Sequence, residues 1–251
     1  MSRPSTEGRG ASRGSVLGLA GAVLGALLAC KEEAPPPAPA PVPIATATGP
    51  CARGVSEDPT VGEFKPAQLA FNEKRYPDAK TALVGLATKY PHSASVRVWQ
   101  GDAALYGSTK LIEAADESIV FYGQALKLHE QGCKLSEYEH YYLRAGFANA
   151  YLRKKDGKAA LVHLRAAEKE FDDAGIYYHS ARAHCRENDL DQCVAYFEKT
   201  LVTAKALRRP RFLRTHYSLA SWISRSRTQS EFTKLRADKR YAALLKRFKD
   251  D

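Results

Sequence analysis

The patterns that most often assign chemistry to a chain are missing from these 251 residues. There is no HExxH metal-binding helix, no GxxxxGK[ST] phosphate loop and no CxxC pair, and past residue 30 there is no GxSxG nucleophile turn and no GxGxxG loop. Their absence argues against an enzyme built on those constellations without excluding other enzymes, and no residue is assigned a catalytic, cofactor-binding or metal-binding role. The seven histidines are dispersed. His179 and His184, five apart, fall on different helix faces and cannot share a metal as i, i+4 histidines do. His184 and Cys185 are adjacent on one helix and point apart. No run alternates β-branched and polar residues as a half-buried strand would. The longest apolar and small-residue stretch, Val16 to Ala29, holds 14 residues, short of the roughly 20 that a helix needs to cross a bilayer.

What is present falls into blocks. Arg3, Arg9 and Arg13 precede the Val16–Ala29 stretch, which ends in small residues and meets Cys30, the pattern of a processed export leader. From Ala34 to Pro50 the chain carries seven prolines in seventeen residues and no charge. Such a segment favours extended polyproline II, about 3.1 Å per residue, and reads as a semi-rigid spacer. After Pro66 only Pro77, Pro91 and Pro210 remain. Apolar residues there recur at three and four positions and alanine is abundant, so an all-α domain of about ten helices is expected.

Leu27-Leu28-Ala29-Cys30 resembles the lipobox of bacterial lipoproteins. The resemblance implies cleavage before Cys30, diacylglycerol on its thiol and an acyl chain on the new amine. Several acyl chains, at roughly 0.8 kcal/mol per buried CH₂, hold a protein durably on a membrane without spanning it. Lys31, where many inner-membrane lipoproteins carry Asp, implies an outer-membrane anchor facing the periplasm.

Three segments share a spacing. Ala79 and Leu83 stand in Tyr76–Pro91; Ala148, Tyr151, Gly157, Ala160, Leu164 and Ala167 form a second set; Ala181, His184, the turn Asn188-Asp189-Leu190, Cys193, Phe197 and Thr200 form a third, with the same intervals when Leu190 stands for Gly157. A degenerate copy places Gly101 before an inserted turn at Gly107–Lys110 and then Ser118, Tyr122 and Ala125. Small residues where helices cross, flanked by bulky ones, are what close helix packing requires. The pattern resembles tetratricopeptide repeats over roughly residues 62–206, although no copy carries the complete tryptophan-leucine-glycine start. It implies an α-solenoid of stacked helical hairpins. The amphipathic segment Tyr241–Phe248 then reads as a capping helix. The divisions are 1–29, leader; 30–60, lipidated Cys30 and tether; 61–206, helical repeats; and 207–251, capping helices of the same domain.

With Cys30 set aside, Cys51, Cys133, Cys185 and Cys193 allow three pairings in an oxidising compartment. Cys185 and Cys193 flank the turn at Asn188-Asp189, which would bring them close; Cys51 with Cys133 follows only by elimination. Buried free thiols at small packing positions are the alternative, Cys193 above all. The net charge is +10, and the first 29 residues carry three arginines and one glutamate, leaving +8. Arg208, Arg209, Arg211, Arg214, Arg225, Arg227, Arg240 and Arg247 concentrate it late in the chain. In a cytosolic protein such a stretch would suggest nucleic acid; the export signal argues against that partner, and a solvated basic face is as good a reading as a polyanion site.

The repeat resemblance further implies a concave surface, made by the first helix of each hairpin, that binds protein. On this chain it would include Tyr142, Asn149, Arg153, Tyr178, Arg182 and Arg186, residue types that dominate interface energetics. Tyr142 and Tyr178 could instead pack between repeats. The expected function is a lipid-anchored envelope adaptor that binds protein partners, with no small-molecule substrate and no cofactor beyond the lipid on Cys30. The alternatives are a peptidoglycan-binding or -processing protein, which would need a cleft with paired carboxylates, and a structural spacer.

Overall fold

A computed structural model describes residues 51, 57–206 and 218–249. The leader, Cys30, most of the tether and the arginines Arg208, Arg209, Arg211 and Arg214 lie outside the described residues. Among those described, every element is helical: α1 (Val61–Asn72), α2 (Tyr76–Lys89), α3 (Ala94–Tyr106), α4 (Leu111–Glu130), α5 (Glu137–Arg153), α6 (Gly157–Glu168), α7 (Ala174–Arg186), α8 (Leu190–Ala206), α9 (Leu219–Thr228), a 3₁₀ turn (Ser230–Phe232), α10 (Thr233–Ala237) and α11 (Lys239–Lys249). None of the described helices is long and apolar enough to cross a membrane.

The helix starts are written in the sequence. Thr60 with Glu63 and Ser136 with Glu139 form capping boxes at α1 and α5, and Ser93, Asp156, Asp173 and Ser218 cap α3, α6, α7 and α9 through their side chains. Three hairpin turns are built alike. Lys74, Lys155 and Asn188 each adopt a left-handed φ near 60° two residues before the next helix begins. Each turn closes with the same pair of bonds: Lys74 N to Phe71 O and Arg75 N to Ala70 O, Lys155 N to Leu152 O and Asp156 N to Tyr151 O, Asn188 N to Cys185 O and Asp189 N to His184 O. These are Schellman turns, in which the left-handed residue lets the chain satisfy the last carbonyls of the helix. The α3–α4 connection differs. It spans residues 107–110 with no left-handed residue, at the inserted turn expected there.

Consecutive helices pack on one another, and α3, α5 and α7 also touch directly, with the 3₁₀ turn against α7. The core runs along the chain as successive clusters: Phe64, Phe71, Leu83 and Trp99 across α1–α3; Tyr122, Leu143 and Phe147 across α4 and α5; Leu152, Leu164 and Ile176 across α5–α7; and Tyr178, Phe197, Trp222, Phe232 and Phe248 across α7–α11. Ala79, Leu83, Gly101, Ser118, Tyr122, Ala125, Ala148, Ala160, Leu164, Ala167, Ala181, Cys193, Phe197 and Thr200 are all buried. Gly101 and Gly146 show why small residues stand at these crossings: a Cβ on either would meet the Tyr122 ring at 2.3 and 2.4 Å. On α11, Tyr241, Leu244 and Phe248 turn into the cluster formed with α7 and α8. Its outer cations are partly neutralised by α8, Arg240 pairing with Asp191 and Arg247 with Glu198, both at 2.7 Å.

Two disulfides tie the domain. Cys185 and Cys193, with Cα atoms 5.0 Å apart, join α7 to α8, and Cys51 reaches Cys133 in the α4–α5 connection with Cα atoms 4.9 Å apart. The second closes a separation of 82 residues and the first only 8. By chain entropy they contribute roughly 4.5 and 2.5 kcal/mol. His184, beside Cys185, stacks on Tyr196 with centroids 5.2 Å apart and meets Asp189 at 3.2 Å, as a packing residue of the hairpin.

Candidate binding cavity

Helix periodicity turns one face of α5 and one face of α7 toward a common space. Tyr142, Asn149 and Arg153 stand at intervals of seven and four, and Tyr178, Arg182 and Arg186 at intervals of four, so each set shares a face. All six line one cavity of about 650 Å³. Asp102 and Tyr106 of α3 close one side; Trp222 and Arg225 of α9, with Glu231 of the 3₁₀ turn, close the other.

Buried tyrosine–aspartate bonds hold this frame. Tyr122 Oη donates to Asp102 Oδ1 at 2.7 Å, linking α4 to α3. Tyr141 Oη donates to Asp173 Oδ1 at 2.7 Å, and the same oxygen caps α7 by accepting from Gly175 N, so α5 and α7 are tied at the helix start. Burial, and then Asp173, push the Tyr141 hydroxyl well above the ordinary phenol range.

Arg182 is the hub of the polar wall. Only 7% exposed, it donates from Nη2 and Nε to Glu231 Oε1 at 2.6 and 3.2 Å, and from Nη1 to Asn149 Oδ1 at 3.2 Å and His179 Nδ1 at 3.1 Å. Arg186 Nη2 lies 3.8 Å from the same Glu231 oxygen. Burial pushes the Glu231 carboxyl up, but Arg182 and Arg186 together with its hydrogen bonds outweigh it and hold the group below its usual range. His179 is driven well below the usual imidazole range by burial and then by Arg182 and Arg225, so at neutral pH it is uncharged. At the far wall, Arg153 donates to Leu105 O and sits over the Tyr106 ring at 5.4 Å, while Asn149 Nδ2 donates to Tyr106 Oη at 3.3 Å. Desolvation lowers the Arg153 guanidinium below its free value.

The wall carries Arg153, Lys155, Arg182, Arg186 and Arg225 against Asp102 and Glu231. Seven aromatic side chains share the lining, a combination suited to an anionic partner with an apolar body. Among the described residues no three His, Cys, Asp or Glu side chains come together as a metal site would need.

The two tyrosines also pack. Tyr178 is 1% exposed, its ring 4.7 Å from Trp222 and 5.4 Å from Phe232, and Tyr142 is half-buried against Tyr138 and Tyr141. Spacing gives no sign that Glu231 and Trp222 belong to this wall, and Arg225 stands out only as one of the late arginines. Glu231 reaches Arg182 across 49 residues from a three-residue turn, where no periodicity could place it. His179, considered only as a metal ligand, is a wall residue. The sequence matches no protein-family model and none of the curated proteins against which it was compared.

Proposed function

We propose that this protein is a lipid-anchored adaptor of a bacterial cell envelope. Cys30 carries the lipid, the proline-rich segment holds the domain off the outer membrane on its periplasmic side, and tetratricopeptide-like helical hairpins form an α-solenoid whose concave face docks a protein partner. In this reading it works by binding, performs no catalysis and uses no cofactor. The repeat assignment is supported by the three turns built alike at Lys74, Lys155 and Asn188 and by the burial of the small residues at equivalent spacings. The observation that carries the docking role is the convergence of Tyr142, Asn149, Arg153, Tyr178, Arg182 and Arg186 on one cavity.

The test compares the wild-type chain with Cys30→Ala and with Tyr142→Ala/Arg153→Ala after crosslinking in intact cells of a native-like host. The expected result is outer-membrane fractionation with one dominant protein partner, loss of the membrane association with Cys30→Ala, and loss of the partner alone with the cavity variant. Identical fractionation of Cys30→Ala would remove the lipid anchor and the localisation that depends on it. Recovery of glycan in place of protein would favour a peptidoglycan-binding role.

A further inference from the structure

Three successive first helices repeat one local arrangement. Gly101, Ala148 and Ala181 are buried, and each is followed at once by a cavity residue: Asp102 on α3, Asn149 on α5 and Arg182 on α7. Four positions later stands another, respectively Tyr106, Arg153 and Arg186. That interval keeps each pair on one helix face, about one turn apart. The six residues therefore form two rows that cross the helices. Asn149 Oδ1 accepts from Arg182 Nη1 at 3.2 Å within the first row, and the Arg153 guanidinium lies 5.4 Å from the centre of the Tyr106 ring within the second. Helices pack about 8–10 Å apart, which sets the spacing along a row.

The rows differ in how their charges are matched. In the first, Asp102 is buried and accepts from Tyr122, and Arg182 is buried and held by Glu231. The second reaches solvent. Tyr106 is 44% exposed and the Arg186 side chain 25%. Arg153, half-buried, donates to a neutral carbonyl, Leu105 O, and has no ion pair among the described residues. Arg186 has only a Glu231 oxygen 3.8 Å away, which Arg182 already holds at 2.6 Å. Lys155, exposed at the rim just past α5, makes no ion pair among the described residues. Both carboxylates of the lining, Asp102 and Glu231, are buried, so the charge that an entering group meets along this row is positive.

We infer that the partner docked here is an extended acidic segment of a protein, laid across α3, α5 and α7 along the row Tyr106, Arg153 and Arg186. Guanidinium groups pair best with carboxylates. In the polyproline II conformation residues three apart share a face and lie about 9 Å from one another, the spacing of the row. Acidic residues at that interval meet Arg153 and Arg186 in turn, and Lys155 adds a cation at the rim. An apolar side chain of the segment lies against Tyr106 and the exposed Leu111, which lines the same cavity. This inference rests on the docking reading and specifies the chemistry of its partner.

Fluorescence anisotropy of the purified full chain with the labelled peptide GFGEPAEPAEG, and with its glutamine counterpart GFGQPAQPAQG, tests it. The acidic peptide is expected to saturate one site and to bind at least about tenfold more tightly than the glutamine peptide. Arg153→Gln and Arg186→Gln should each weaken it roughly threefold to tenfold, the scale of one charge pair at a partly buried site. Failure of the acidic peptide to saturate, equal binding of the two peptides, or unweakened binding in Arg153→Gln/Arg186→Gln would each overturn the inference. The comparison of peptides uses the unaltered chain and so does not depend on how the variants fold. In intact cells, a partner crosslinked at position 142 that Arg153→Gln/Arg186→Gln retains would refute the acidic segment and leave the docking reading in place. Tight binding of the acidic peptide with no protein adduct from cells would refute the docking reading and leave the preference of this row for acidic segments.

Discussion

Removing Arg182 should damage the protein far more than removing Arg182 and Glu231 together. The two side chains are 9% and 5% exposed and meet at 2.6 Å, and the only other cation near Glu231 within 4 Å is Arg186 at 3.8 Å among the described residues. Arg182→Met therefore leaves a carboxylate buried with one distant partner, a situation that costs roughly 3–5 kcal/mol. Among the described residues, Glu231→Leu leaves Arg182 hydrogen-bonded only to the neutral Asn149 and His179, at roughly 2–5 kcal/mol. In Arg182→Met/Glu231→Leu neither charge remains to be desolvated, and the double variant should lie within about 1–2 kcal/mol of wild type, as apolar replacements of buried ion pairs do. Urea unfolding of all four proteins, at equal m-values, measures this; for a domain of this size each kcal/mol is about 2–4 °C in Tm. The pH dependence carries the same signature. Because the folded Glu231 carboxyl is held low, its contribution is complete above the unfolded carboxyl range near pH 4.3 and is lost as pH falls through the lower folded value. The double variant should lack that loss. A double variant destabilised by the sum of the singles would refute the reasoning, since the two residues would then act independently.

Three other outcomes follow from the packing. Gly146→Ala puts a Cβ 2.4 Å from the Tyr122 ring and should cost about 1–3 kcal/mol in urea unfolding, with part of the loss recovered when Tyr122→Leu is added. Lys155 holds φ 63° in the α5–α6 turn, so Lys155→Gly should raise stability by roughly 0.5–1 kcal/mol; an equal or lower value would show that the turn is unstrained. His163 stacks on Phe147 with centroids 4.0 Å apart, and burial followed by Arg144 holds its pKa down to about 4. It stays neutral in the fold while the unfolded chain takes up a proton near pH 6.5, so stability falls as pH drops from about 6.5 to about 4. His163→Phe, compared with wild type at pH 7.5 and 5, should gain about 1 kcal/mol at the lower pH, and an identical difference at both would exclude His163 as the cause.

Helical class and crossing positions could be read from the chain because both are local and periodic. The small residues at Gly101, Ala148, Ala160 and Ala181 announce where helices meet, and the Asn188-Asp189 turn announces a hairpin. The left-handed lysines at 74 and 155 were not legible: lysine gives no signal for that conformation, and the turn is imposed by the helices it joins. The C-terminal region is expected only as capping helices, and Glu231–Arg236 divides into a 3₁₀ turn and the short α10 because Phe232 and Leu235 both seek the core beside Phe197. The face shared by Tyr142, Asn149 and Arg153 followed from spacing once a repeat register was assumed. Its closure by Glu231 and Trp222 did not, because that contact joins segments nearly fifty residues apart and depends on how α9 packs against α7 and α8.

A photo-crosslinking residue placed at Tyr142, inside the cavity, and separately at Val162, 65% exposed on α6, tests the docking role most directly in intact cells. The account predicts one discrete protein adduct from position 142 and none from position 162. Adducts of the same pattern from both positions, or none from 142, would contradict it.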